Sequence, residues 1–128
     1  MYTYSIPPLK IGNLEISPPI IQGGVGVRVS RANLAAVVAN EGCAGVIASA
    51  GIGRYESFPK SDFGEINSEA LRYEIRKARS MTGGVIGVNI MVALSDYDTL
   101  VRTAVDEKVD MIISGGGALK SAKISEWR

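Results

Sequence analysis

The chain has 128 residues, of which 46% are apolar, and its 14 basic and 13 acidic side chains leave a net charge of +1. This length suits a single domain with its own core. Because the charges are interspersed, the sequence offers no basic patch for nucleic acid or for an anionic membrane. No apolar run reaches the about 20 residues of a membrane helix, and the amino terminus does not resemble a signal peptide, so we expect a cytoplasmic protein. The single Cys43 excludes an internal disulfide and is predicted to be a buried small apolar residue.

The first predicted elements are a hairpin and a buried strand. Residues 9–16 alternate apolar and polar side chains around a Gly-Asn pair, which predicts a small antiparallel hairpin. The run from Pro18 to Gly26 then carries a short apolar strand, residues 20–22, into a group of closely spaced glycines. Because glycine has no Cβ, Gly23 and Gly24 would let a flat or phosphorylated group approach the main chain. This segment therefore predicts a ligand-binding loop.

A helix and a second buried strand follow this loop. Ser30 stands where a helix N-cap belongs, and the apolar period predicts a helix over residues 31–41 that stops at Gly42. Residues 44–48 are all apolar, which predicts another buried strand. The inward face of the helix is predicted to carry Leu34, Ala35, Val38 and Ala39.

The second helix is predicted to be strongly amphipathic. Asn67 or Ser68 is expected to cap it, and it should reach about Met81. The apolar period places Leu71, Ile75 and Ala78 inward. The charged residues of this helix are therefore predicted to form a solvated outer face: Arg72, Glu74, Arg76, Lys77 and Arg79.

The last two predicted strands run into polar or glycine residues. Residues 85–89 predict a third buried strand that closes on an asparagine, and residues 110–114 predict a fourth, followed by glycines at 115–117. Between them, Ser95 is expected to cap a third helix that continues through Glu107. Repeated units of buried strand, loop and amphipathic helix predict parallel strands joined by right-handed crossovers. The fold class predicted is α/β.

Two α/β architectures compete, the doubly wound sheet and the (β/α)₈ barrel, and both bind ligands at the carboxyl ends of their strands. The dinucleotide-binding fingerprint of a doubly wound sheet requires a final glycine, whereas residues 24–29 end in valine. The amino-terminal hairpin suits a barrel, as a plug beneath its floor. A complete barrel needs about 250 residues, so this chain would supply about the first four strands.

The most specific parts of the sequence are the first buried strand and the motif around the asparagine of the third. Pro19 to Gly26, Leu34 to Gly42 and Gly87 to Ala93 together resemble the nitronate monooxygenase family, also called the 2-nitropropane dioxygenases. Val109 to Gly115 extends the resemblance, which covers about residues 7–117, the amino-terminal half of the family's barrel. It implies an FMN-binding (β/α)₈ TIM barrel that oxidises alkyl nitronates with molecular oxygen. The flavin-dependent enoyl-ACP reductases share the same amino-terminal pattern and provide an alternative function.

The resemblance also implies which residues contact the cofactor FMN. The loop that follows the first strand matches the family segment whose backbone lies against the flavin ring. Asn89 matches an asparagine that hydrogen-bonds FMN, and its amide offers both donors and an acceptor, although a turn residue at a strand end is the alternative. At the end of the fourth strand, the glycines would again let a ligand approach the main chain closely, and a flexible loop is the alternative interpretation. The cofactor-binding residues implied are Gln22, Gly23, Gly24, Val25, Asn89, Ser114 and Gly115.

Several parts of the family's site have no counterpart in this sequence. The family's catalytic histidine lies in the carboxy-terminal half, and this chain contains no histidine, so no catalytic residue is assigned. The phosphate-binding loops after strands seven and eight are also missing, so FMN affinity should be weak. Residues 118–128 do not continue the family pattern, and we interpret them as the mark of a truncated gene or a frameshift. Because an open parallel sheet has two unpaired edges, we expect a homo-oligomer, pairing with a second half-barrel, or a non-catalytic half-barrel fragment.

Overall fold

The computed structural model describes residues 5–54 and 62–117, so the atypical tail at 118–128 lies outside the described residues. Within this part of the chain, no helix is both long and apolar enough to cross a membrane. The elements are β1 (Leu9–Ile11), β2 (Leu14–Ile16), α1 (Ala32–Asn40), β3 (Gly45–Ala48), α2 (Phe63–Met81), β4 (Ile86–Met91), α3 (Tyr97–Asp106) and β5 (Met111–Gly115).

The predicted amino-terminal hairpin is confirmed. β1 and β2 pair antiparallel, with Ile11 opposite Leu14. Gly12, in the turn between them, has a φ of +58°, a left-handed conformation that glycine adopts without steric cost. After the hairpin, the Ser17 amide donates to the Gly42 carbonyl at 3.2 Å, which attaches this segment near the amino end of β3.

The main sheet has its parallel strands side by side in the order in which they occur along the chain. Ile21 forms a single parallel bridge with Ala44, and β3, β4 and β5 follow in that order. A doubly wound sheet would place its first strand between later ones, whereas here the first strand lies at the edge. The predicted α/β fold is confirmed, and over the described residues the sheet is open and does not close into a barrel.

The two faces of the sheet differ in what packs against them. The register aligns Val88 with Ile47 on one side and with Ile112 on the other, so these three side chains share a face. All three helices pack against this face and form one hydrophobic core with it. We call the opposite face the inner face; the register places on it Val46, Ala48, Gly87, Asn89, Met91 and Gly115.

α1 approaches the sheet more closely than its apolar pattern indicated. A Cβ at Gly45 would lie 1.9 Å from the carbonyl oxygen of Ala35, so the helix backbone lies directly on β3. Only small side chains fit under a helix that close, and the buried residues of α1 are Ala32, Ala35, Ala36 and Ala39. The prediction that Leu34 faces inward is wrong, because its side chain is 43% exposed.

Several predicted element boundaries also need correction. α2 begins at Phe63, before the expected caps, and α3 begins at Tyr97, directly after Asp96 instead of Ser95. Asn67 lies inside α2, where its Oδ1 accepts a hydrogen bond from the Gly53 amide at 2.9 Å. Its Nδ2 donates to Asp96 Oδ2 at 2.7 Å, so Asn67 connects two loops instead of capping a helix. β4 continues to Met91, so the asparagine predicted to end this strand lies within it.

The inward face of α2 was predicted correctly and its outer face only in part. Leu71, Ile75 and Ala78 are fully buried, and Cys43 is buried as expected. Glu74, however, is only 2% exposed, so the prediction of an entirely solvated charged face is wrong. The reason is a tertiary contact of Glu74 with the amino end of α1, which the apolar period of α2 cannot predict.

Candidate functional site

The loop after the first strand lies against Asn89 on the inner face. A Cβ at Gly24 would be 2.8 Å from Asn89 Cβ, 3.1 Å from Val46 Cγ1 and 3.2 Å from Asn89 Nδ2. Glycine is therefore required at this position for the loop backbone to reach the sheet. The two sequence segments that predicted a cofactor site are thus in direct contact.

Within residues 5–54 and 62–117, the side-chain amide of Asn89 has no hydrogen-bond partner, although the side chain is half-buried. The main-chain carbonyl oxygen of Asn89 accepts hydrogen bonds from the Ser49 amide at 3.0 Å and from Ser49 Oγ at 2.9 Å. These two bonds fix the main chain of Asn89. An unpaired amide that is half-buried and held in place offers two donors and one acceptor to a polar ligand edge.

Gln22 has its side-chain amide directed at the neighbouring strand. Its Oε1 accepts from the Val46 amide at 3.1 Å, and its Nε2 donates to the Val46 carbonyl at 3.2 Å. Nε2 also donates to Ser30 Oγ at 3.1 Å. This side chain therefore stabilises the strand edge, and any contact of Gln22 with a ligand would involve its main chain.

Gly23 and Val25 present open surface on either side of Gly24. A Cβ at Gly23 would meet no atom within 4 Å. The Val25 side chain is 53% exposed, while its amide donates to Ser30 Oγ at 3.0 Å. The structure thus leaves room beside Gly23 and holds the main chain of Val25.

At the end of β5, the side chain of Ser114 points away from the inner face. Ser114 pairs in register with Ile90, which belongs to the helix-side core, and its Oγ lies 2.8 Å from the Tyr97 hydroxyl. Gly115 is on the inner face, and a Cβ there would meet no atom within 4 Å. Of this predicted pair, only Gly115 offers open space toward the site.

Sequence reasoning missed two serines that shape this site. Ser30 was expected to cap α1, but its hydroxyl bonds to the loop after the first strand. Ser49 fixes the Asn89 carbonyl. Serine is common in loops, and neither residue has a sequence signal that shows a partner many positions away.

These residues fit a flat, polar-edged group such as a flavin ring. Gly24 brings an uncharged main chain to the sheet, Asn89 provides an unpaired amide, and Gly23 and Gly115 leave open space. Val46, on the inner face, is fully buried beneath Gly24, so at this point the loop, and not the sheet, would face a ligand. The donors and acceptors match the mixed polar edge of a heteroaromatic ring, and the described residues have no group of His, Cys, Asp or Glu placed to hold a metal.

The fold and site define an α/β protein of the class that places its ligand at the carboxyl ends of parallel strands. The family profile for nitronate monooxygenase matches residues 8–114, and the chain belongs to this family, with kinship to flavin-type oxidoreductases. The kinship predicted from the sequence is confirmed.

Two solved structures are similar to the chain over most of its length. A point mutant of FabK from Thermotoga maritima is 28% identical, with a TM-score of 0.64, and the match covers 85% of this chain and 33% of that one. FabK from the same organism is 26% identical, with a TM-score of 0.62, over 84% of this chain and 30% of that one. No curated protein is significantly similar to the chain. The chain therefore spans about a third of the length of the solved structures it matches.

Proposed function

We propose that this chain forms the flavin-contacting part of an FMN-dependent oxidoreductase with a (β/α)₈ barrel, which oxidises alkyl nitronates with molecular oxygen. The observation that carries the proposal is the contact of Gly24 with Asn89, whose amide has no partner among the described residues. Family membership supports the same reaction class. The strand order, which follows the chain from one edge of the sheet to the other, is the order expected of a barrel segment.

The roles of the residues follow from their positions. The main chain of Gly23 and Gly24 would lie against the ring, and the Asn89 amide would hydrogen-bond its polar edge. A bound FMN would supply the redox chemistry of the reaction. The chain has no histidine, so a histidine that acts as the proton-transferring base would have to come from elsewhere in the complete enzyme.

Completion of the site requires strands beyond those described. In the first strand, the side chain of Ile20 is 55% exposed and that of Ile21 is 38% exposed. At the other edge of the sheet, β5 is only half-buried along its length. We propose that a second half-barrel, from a longer chain, a separate protein or another copy, covers these edges. The activity and substrates of the whole enzyme belong to that completed form.

FMN titration of the purified chain tests the cofactor proposal. We expect quenching of flavin fluorescence, and we expect Asn89→Ala to weaken binding at least tenfold because it removes the unpaired amide. Asn40→Ala is the matched control, since Asn40 Nδ2 donates to the Met81 carbonyl at 3.3 Å, away from the site. Equal binding by the two variants, or a colourless wild-type protein that ignores added FMN, would count against the proposal and favour a non-catalytic fragment.

The two FabK structures favour a second candidate, an enoyl-ACP reductase-like function. Two assays of the completed enzyme separate the candidates. Oxygen consumption with propionate 3-nitronate would support the monooxygenase. Oxidation of NAD(P)H that depends on an enoyl thioester would support the reductase instead.

A further inference from the structure

The first strand pairs with β3 through its main chain for one step only. The Gln22 amide donates to the Ala44 carbonyl at 3.0 Å, and the Ala44 amide donates to the Ile20 carbonyl at 2.9 Å. The next bonding position on β3 is Val46, whose amide and carbonyl both bond to the Gln22 side chain. A side-chain amide carries the same donor and acceptor as a peptide group, so it can replace one more residue of strand.

This replacement lets the main chain leave the sheet while the amide and carbonyl of Val46 stay paired. After Val46, the next amide on the same edge of β3 is that of Ala48, and it donates to the Ser30 carbonyl at 3.0 Å. Along this edge, the hydrogen bonds are thus made first by the main chain of the first strand, then by the Gln22 side chain, and last by the main-chain carbonyl of Ser30. Residues 23–29, which lie between, are free to cross over the inner face.

The Ser30 hydroxyl closes the base of this loop. The residue is 1% exposed, and Oγ accepts from Gln22 Nε2 at 3.1 Å and from the Val25 amide at 3.0 Å. It also donates to the Gly23 carbonyl at 3.4 Å. A hydroxyl has one donor and two acceptor positions, so all of its bonding capacity is used to hold the residues on either side of Gly24.

We infer that Gln22 and Ser30 are positioning residues that hold the Gly24 backbone on the inner face against Asn89. They act through the loop and touch no ligand themselves. Removing either side chain would leave buried donors and acceptors unpaired, and the loop would move to find other partners. The position of the loop can be measured without a cofactor. The expected effect of the loop position on flavin binding rests on the proposed function.

The test compares Ser30→Ala with Ser68→Ala, since both serines are buried. Ser68 Oγ lies 2.6 Å from Thr103 Oγ1, between α2 and α3, so its removal affects stability without touching the loop. Two measurements apply: the NMR signals of the Gly24 amide and the Asn89 side-chain amide in cofactor-free protein, and the FMN affinity. We expect Ser30→Ala to shift both signals and weaken FMN binding at least tenfold, and Ser68→Ala to change neither.

A second variant, Gln22→Met, keeps the length of the side chain but removes its hydrogen bonds, and we expect the same two effects. If both variants leave the Asn89 and Gly24 signals and the FMN affinity unchanged, the inference is wrong, whatever happens to stability. If wild-type protein fails to bind FMN while the variants still shift these signals, the positioning role stands and the proposed function fails.

Discussion

Gly23 and Gly24 are adjacent in the chain but have opposite surroundings. Neither has a positive φ, so backbone conformation alone requires glycine at neither position. A Cβ would meet open space at Gly23 and the Asn89 Cβ at 2.8 Å at Gly24. Packing against Asn89 therefore explains glycine at one position, and access to the site explains it at the other.

We predict that Gly24→Ala lowers the free energy of unfolding by roughly 1–3 kcal/mol, the usual effect of adding a methyl group to a filled space. Gly23→Ala is the matched control and should change stability by less than about 1 kcal/mol, since it adds a methyl group to open space. Urea denaturation of the two variants measures the difference. Equal midpoints would contradict the close contact between Gly24 and Asn89.

At the scale of the elements, α1 depends on α2 for its amino-terminal cap. Arg31, at the N-cap position, makes no side-chain capping bond. Instead, Glu74 of α2 accepts the Ala32 amide through Oε2 at 2.8 Å, and its Oε1 bonds to the Arg31 guanidinium. A buried carboxylate at a helix amino terminus interacts favourably with the helix dipole, so this contact fixes the two helices relative to each other.

We predict that Glu74→Ala destabilises the protein by about 3 kcal/mol, because it leaves a buried amide and a partly buried guanidinium without their partner. Glu69→Ala, on the same helix, is the control. Its side chain is 59% exposed and pairs with Arg72 at 3.5 Å, so its loss should cost less than about 1 kcal/mol. Thermal unfolding of both variants tests this, and equal losses would rule out the capping role.

α2 and α3 are joined by a carboxylate shared between two arginines. Glu107 accepts from Arg76 Nε at 2.8 Å and from Arg72 Nη1 at 2.5 Å. The hydrogen bond from Arg76 lowers the pKa of Glu107 below its usual 4.5, with a further contribution from Arg72, while burial opposes the shift. Because the folded-state pKa is the lower one, this pair stabilises the fold above about pH 4.5 and loses its effect as the pH falls further.

The pH dependence of stability should therefore differ between wild type and Glu107→Gln. We predict that the wild type is the more stable at neutral pH and that its advantage shrinks as the pH falls below 4.5, through the folded-state pKa. Urea midpoints measured from pH 7 to pH 3 give the comparison. Two curves that stay parallel over this range would show that the carboxylate contributes nothing.

At the scale of the whole molecule, the edge formed by α1 and the first strand is unusually apolar for a surface. α1 contains no charged residue, yet Leu34 is 43% and Val37 59% exposed. Exposed apolar side chains on a helix that carries no charge are typical of a surface that another part of a protein covers. Under the proposed barrel, the remaining strands and helices would pack against this surface and the exposed first strand.

We predict that the purified chain associates through this edge, and that Val37→Lys shifts it toward the monomer because a buried lysine is costly at an interface. Tyr73→Lys is the control, since Tyr73 is 60% exposed on the charged helix α2, away from the edge. Light scattering over a range of concentrations measures the mass. A chain that is monomeric throughout, or equal behaviour of the two variants, would contradict the assignment of this edge.

Much of the fold was predictable because its signals are local. The hairpin around Gly12, the apolar strands and the inward face of α2 follow from periods of two and 3.6 residues. Gly24 and Asn89 each stood out in the sequence through a motif, and the structure brings them into contact, while their role in binding a cofactor stays a prediction. Glu74 and Ser30 were assigned incorrectly, because a helical period predicts the face on which a residue lies but not the partner that buries it.

The sequence by itself determined the α/β class, the order of its elements and the family, since periodicity and glycine placement are properties of short segments. Only the tertiary structure decided that Gln22 completes the edge of β3, that Ser30 closes the loop and that Gly24 lies on Asn89. These contacts join residues between 5 and 65 positions apart, from the bond of Val25 to Ser30 to the approach of Gly24 to Asn89. The physical reason is that a polar side chain takes its role from the unpaired group it meets in the folded chain.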